Sequence, residues 1–180
     1  MIAGAYLALL GTFFVATDSA ADPSTDVALF VISKSENRNQ IQYVVHVDAQ
    51  CSPVAPSPVD AYWRMLEEGP GRTAPLLPRE RPAYGLSSQS IVPPVTAGAT
   101  GAVRVVLAAV ADRAVLVETW RANDGQCRAF ATARIANAPA RLVDVYVRLK
   151  LPLWVDYVLL RGWSIDGTHR VEEKLVRGAS

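Results

Sequence analysis

Histidine is almost missing from this chain: 180 residues hold only His46 and His169. A serine hydrolase needs a nucleophile, a base and an orienting acid. With no Gly-x-Ser-x-Gly and no serine in a recognisable elbow, that class is set aside. Cysteine is equally scarce. Cys51 and Cys127 are far apart and form no Cys-x-x-Cys, which removes dithiol redox and thiolate–metal chemistry. No glycine-rich loop suited to cradling phosphate is present. Neither sign of charge is in excess, with 18 Lys and Arg against 17 Asp and Glu. That balance does not call for nucleic acid, and no basic face or RNA-reading aromatic motif is visible. His46 and Asp48 share a strand face at a spacing that suits two metal ligands, with His169 available as a third. Nothing else gathers near them in sequence. An exposed histidine on a half-polar strand is the simpler reading, so no metal and no cofactor are expected.

Charge is also missing from Met1 to Thr17, which is mostly apolar. Small residues follow in Ser19-Ala20-Ala21, then Asp22-Pro23. An apolar core followed by small side chains is the order of a secretory signal, with cleavage after Ala21. No Lys or Arg precedes the core, so an uncleaved anchor is the alternative. The run is shorter than the ~20 residues a spanning helix needs, which favours a signal over residues 1–21 and no membrane span after cleavage. No cysteine follows the core to carry a lipid. The remaining residues, 22–180, are expected to form one domain in the periplasm or outside the cell, with 18 basic and 16 acidic side chains. In that compartment two cysteines most simply pair, although two separate buried thiols are the alternative.

Helical periodicity is nearly absent beyond the signal, and period-two alternation recurs. Val27 to Ser33 is a short apolar run. Ile41, Tyr43, Val45 and Val47 alternate with Gln42, Val44, His46 and Asp48. Val59, Ala61, Trp63 and Met65 alternate with Asp60, Tyr62, Arg64 and Leu66. Further strands are expected over Ala83–Ile91, Val103–Val110, Val115–Trp120, Gln126–Ile135, Leu142–Lys150, Trp154–Ile165 and His169–Val176. In Leu142–Lys150, Val143, Val145, Val147 and Leu149 should face the core. Proline-rich loops separate several of these, and Asn123-Asp124-Gly125 and Asp166-Gly167 are hairpin turns. The expected fold is all-β: a single antiparallel β-barrel or sandwich of about 8–10 strands, a barrel more than a sandwich.

Polar and aromatic residues concentrate between Ser33 and Gly85. The candidate binding set is Ser35, Asn37, Asn39, Asp60, Tyr62, Arg64, Glu80 and Tyr84. Asn37 and Asn39 most simply close a turn. The other reading places them on a polar rim at a barrel mouth, where recognition loops gather. Tyr62 and Tyr84 can stack on a flat ligand or pack in the wall with the hydroxyl wet. Trp63 falls with Val59 and Met65 on the core face. No catalytic residue is assigned. Asp60 and Glu80 are available for a carboxylate-dependent hydrolase acting on an envelope sugar or lipid. Salt bridges with Arg64, Arg79 and Arg81 are the structural alternative.

The order of Phe30, Ser35-x-Asn37-x-Asn39, Tyr43, Asp60-x-Tyr62-Trp63 and Ala83-Tyr84-Gly85 resembles a bacterial family of exported proteins, the domain-of-unknown-function family four-eight-three-three. The closing part fits too: Val145-Tyr146-Val147, Val155-Asp156-Tyr157-Val158 leading to Gly162, then Asp166-Gly167 before Val171-x-Glu173-Lys174. The resemblance covers about residues 27–176. It implies an exported, all-β domain with no assigned activity and no catalytic residues to carry over. The cysteine pair is not a mark of that family, so a Cys51–Cys127 bond rests on compartment alone. The expected function is a non-enzymatic ligand-binding or envelope-interaction module, monomeric, whose partner is a small molecule or envelope component. The carboxylate hydrolase is the alternative.

Overall fold

The computed structural model describes residues 24–34, 37–69, 71–150 and 154–176. The expected signal segment, 1–21, and Ser35 lie outside them. Eleven strands follow in chain order: β1 (Thr25–Lys34), β2 (Gln40–Val47), β3 (Val59–Arg64), β4 (Thr73–Pro75), β5 (Leu86–Val92), β6 (Gly101–Leu107), β7 (Ala114–Arg121), β8 (Cys127–Ile135), β9 (Ala138–Lys150), β10 (Trp154–Ser164) and β11 (Arg170–Val176). Alternation, apolar runs and turn signals together located ten of them. The exception is β4, whose three residues are too few to show a period. The expected strand from Ala83 begins instead as a helical turn, α1 (Arg81–Tyr84), after a 3-10 turn at Pro78–Glu80. Pro82 suits that turn, because its fixed φ and missing N–H cost nothing where a helix starts.

All eleven strands belong to one sheet, ordered β4-β3-β2-β1-β9-β8-β7-β6-β5, with β10 and β11 added on β9. The pairing is antiparallel except between β1 and β9, which run parallel from Val31↔Asp144 to Lys34↔Val147. The expectation of a purely antiparallel sheet is corrected at this pair. The length of β9 is the cause. Residues Ala138 to Leu142 pair with β8, and Asp144 to Val147 pair with β1. The partner changes at Val143, where the β9–β10 register also slips between Gly162↔Leu142 and Arg161↔Asp144. That bulge turns Val143 outward, 49% exposed, and Leu142 takes the expected core place.

The sheet curls over one apolar cluster that joins Ile32, Tyr43 and Val45 to Val105, Val117, Ala131 and Val147. It does not close into a barrel. The ends of the strand order are β4 and β5, and no ladder joins them. The segment from Leu77 to Gly85 occupies this end of the core, and Ala83 and Tyr84 are buried there. Across the remaining gap one side chain makes the connection: the Val59 amide donates to Gln89 Oε1 at 2.8 Å. Cys51 and Cys127 are bonded, Cα–Cα 5.2 Å, tying the loop after β2 to the start of β8.

Candidate functional site

The aromatic residues singled out in the sequence form one chain through the core. Phe30 stacks on Tyr43 with ring centroids 4.6 Å apart. The Tyr43 hydroxyl donates to the Tyr84 carbonyl. Burial pushes that phenol's pKa well above its ordinary value, so it remains a donor. Tyr84 meets Trp63 edge-on at 5.7 Å. The Trp63 Nε1–H donates to Glu80 Oε2 at 2.9 Å, and the same oxygen accepts the Leu77 amide at 2.9 Å. Tyr84 is therefore buried and Glu80 half-buried, and together they fasten the 77–85 segment to β2 and β3.

Asp60, Tyr62 and Arg64 point the other way, because alternation along β3 puts them opposite Trp63. Asp60 is exposed, and its Oδ1 accepts the Ala61 amide at 2.7 Å. Arg64 reaches Gln42 Oε1 at 3.4 Å. Asn37 and Asn39 close the β1–β2 connection. The Asn39 amide donates to Asn37 Oδ1 at 3.2 Å, and Asn39 Oδ1 accepts the Glu67 amide at 3.1 Å. The described members of the expected set thus divide among a turn, the outer face of β3 and the aromatic core. Asp48 accepts the amides of Gln50 and Ser52, while His169 lies in the turn before β11.

The open seam between β3 and β5 forms a polar cleft. β4 covers only Tyr62 to Arg64, so the edge of Val59 to Ala61 has no strand beside it. There a cleft of about 470 Å³ is lined by His46, Ser57, Asp60, Arg81, Leu86 and Gln89, among others. Each polar group arrives from a different element. β2 supplies His46, whose Nδ1 is held 2.7 Å from Asp26 Oδ1. α1 supplies Arg81, β5 supplies Gln89, and the loop before β3 supplies Ser57. A carboxylate, a guanidinium and an imidazole around one space can recognise a molecule carrying both signs of charge or several hydroxyls. Of these residues only Asp60 was in the expected set. Arg81 stood within the Arg79-Glu80-Arg81 run, which hinted at it. Gln89 and Ser57 carried no sequence signal, since only the fold brings them beside β3.

The family model described as Domain of unknown function (DUF4833) matches residues 30–174, and the chain belongs to that family. No curated protein and no solved structure matches it. Phe30, Tyr43, Trp63 and Tyr84, on which the resemblance rested, are the aromatic chain of the core. Glu173 chelates Arg113 with contacts of 2.5 and 2.8 Å and accepts the Ala136 amide at 2.8 Å, holding β11 against the β8–β9 turn. Among the described residues no helix is long and apolar enough to cross a membrane.

Proposed function

We propose that the protein is an exported, monomeric, non-enzymatic binding module, and that a small polar molecule or envelope component is held in the seam cleft. The observation that supports this most is the meeting of His46, Asp60 and Arg81 at an edge the sheet leaves open. Tyr62 and Arg64 share the β3 face of Asp60. Export agrees with the apolar segment at 1–21 and with the Cys51–Cys127 bond, because disulfides persist in oxidising compartments. Residues 22–180 are then the mature domain, periplasmic or secreted. Binding is favoured over hydrolysis because Glu80, the second carboxylate of that reading, is occupied by Trp63 and Leu77.

The test is a thermal-shift screen of envelope sugars and lipids on the mature protein, repeated on Asp60→Ala and Arg81→Ala. One ligand class should raise the melting temperature of the parent by several degrees and leave both variants unmoved. A screen with no shift, or with equal shifts in the variants, overturns the reading.

A further inference from the structure

Balanced net charge conceals an uneven surface. The registers of five successive strand pairs align one row across the outer face of the sheet: Arg104↔Leu116, Leu116↔Thr132, Thr132↔Arg141, Arg141↔Trp163 and Trp163↔Arg170. The row crosses six strands, β6 to β11. Its inner neighbours, such as Val103, Val117, Ala131, Leu142 and Gly162, are buried, so the row itself faces outward. Arg134, two residues along β8 from Thr132, adds a fourth guanidinium beside it.

The acidic groups on this face are already engaged. Asp144 and Glu172 both pair with Arg161, at 3.1 and 2.7 Å. Glu118 is buried and turned to the amides of Val95 and Thr96. Among the described residues, Arg104, Arg134, Arg141 and Arg170 form no ion pair with a carboxylate. All four are exposed. Two shallow clefts follow the row. One, of about 580 Å³, is lined by Arg104, Leu116, Thr132 and Arg134. The other, of about 430 Å³, is lined by Arg161, Trp163 and Arg170.

We propose that this row binds a linear acidic polysaccharide, with the arginines meeting carboxylates spaced at intervals along the chain. A guanidinium presents a fork of donors that matches a carboxylate with two parallel hydrogen bonds. Strands lie ~4.8 Å apart, which separates Arg104 from Arg141 by roughly 14 Å and Arg141 from Arg170 by roughly 10 Å along the sheet. Charges at such intervals fit a repeating polyanion better than one small anion. Curvature favours a chain over a bilayer, because a flat surface touches only part of a row that bends with the sheet. The aromatic rings argue against single-stranded nucleic acid, whose binding relies on open ring faces for base stacking. Arg141 lies 4.8 Å over Phe130, and Arg170 lies 5.2 Å over Trp163, so guanidinium groups already cover those rings. The row is separate from the seam cleft and shares no residue with it.

The test is affinity for polygalacturonate, measured by titration at several salt concentrations. Competing arms use a single-stranded oligonucleotide and vesicles rich in anionic phospholipid. The parent protein should bind polygalacturonate most tightly and weaken steeply with salt, because each occupied arginine displaces counterions from the polymer. Arg104→Gln, Arg141→Gln and Arg170→Gln should each weaken binding roughly two- to fivefold, and the triple variant more than tenfold. Arg141→Lys should retain most of the salt dependence. Arg81→Ala, in the seam, should bind polygalacturonate like the parent, which separates this result from the fate of the seam reading. Circular dichroism of the triple variant checks that its fold is intact. The proposal is overturned if polygalacturonate does not bind at low salt, or if a folded triple variant binds unchanged. Tighter binding to the oligonucleotide or to the vesicles overturns it as well.

Discussion

Glu118 is a carboxylate only 3% exposed, placed where an isolated charge would be costly. Burial alone would raise its pKa. Hydrogen bonds from the Thr96 hydroxyl at 2.6 Å and from the Thr96 and Val95 amides at 2.8 and 2.7 Å outweigh that, and the net shift is downward. A carboxyl whose folded pKa lies below its unfolded one stabilises the fold above the unfolded value. That stability is lost as pH falls through the folded value. Glu118→Ala should therefore cost about 2 kcal/mol at neutral pH. The gap to the parent should shrink at pH values below the ordinary glutamate range. Denaturant unfolding of both proteins at pH 7 and at about pH 3 reads the two gaps. A gap that does not change with pH would show that lost packing, and not charge, explains the cost. Nothing in the sequence announced this residue, because its partners lie 22 and 23 positions away in a loop. Trp63 was legible by contrast, since alternation alone put it with Val59 on the core face. What alternation left open was Glu80, on the far side of the β4 connection, as the acceptor for its indole.

Among the elements, β9 and β10 show how a local irregularity is kept. Gly162 sits at the register slip, and a Cβ there would come within 2.1 Å of the Arg141 carbonyl oxygen. The clash is with the Arg141 backbone, so the strand itself would have to move, and the Ile135 Cδ1 methyl is close by at 3.2 Å. Gly162→Ala should lower stability by about 3 kcal/mol, at the upper end of overpacking costs, seen as a shift of the unfolding midpoint. A change within error would mean that the strands separate there without loss. The hairpin turns divide in legibility. Gly125 and Gly167 have the positive φ that Asp-Gly promised, at 81° and 73°. The β8–β9 turn uses Ala136 and Asn137 at φ 50° and 66°. Asn137 is a lone turn signal and Ala136 carries none, so that hairpin was not legible; Glu173 supports it by accepting the Ala136 amide.

The whole molecule is an unclosed, curled sheet with a covalent tie between its two halves. Residues 76 positions apart are joined by the Cys51–Cys127 bond. In the chain-entropy account a loop of that length is worth roughly 4 kcal/mol. Replacing both cysteines with alanine should lower the melting temperature by ten degrees or more, roughly, for a domain of this size. Reductant should lower the parent's melting point similarly and leave the variant's unchanged. Equal melting points for oxidised and reduced parent would show that the tie carries no stability. The seam and the arginine row belong to this scale too. Each is assembled from strands that pair across long stretches of sequence.

The amino-acid order by itself determined ten of the eleven strands, the faces most of them turn to the core, the turns at Gly125 and Gly167, and the aromatic residues on which the family resemblance rests. Those follow from local alternation and turn chemistry, which act over a few residues. Only the tertiary structure decided the rest. The parallel β1–β9 pair, the gap between β3 and β5, the place of Glu80 beside Trp63 and the gathering of four arginines on one face all depend on register between distant strands. Register is set by packing of the whole sheet over its core, and no short window of sequence carries it.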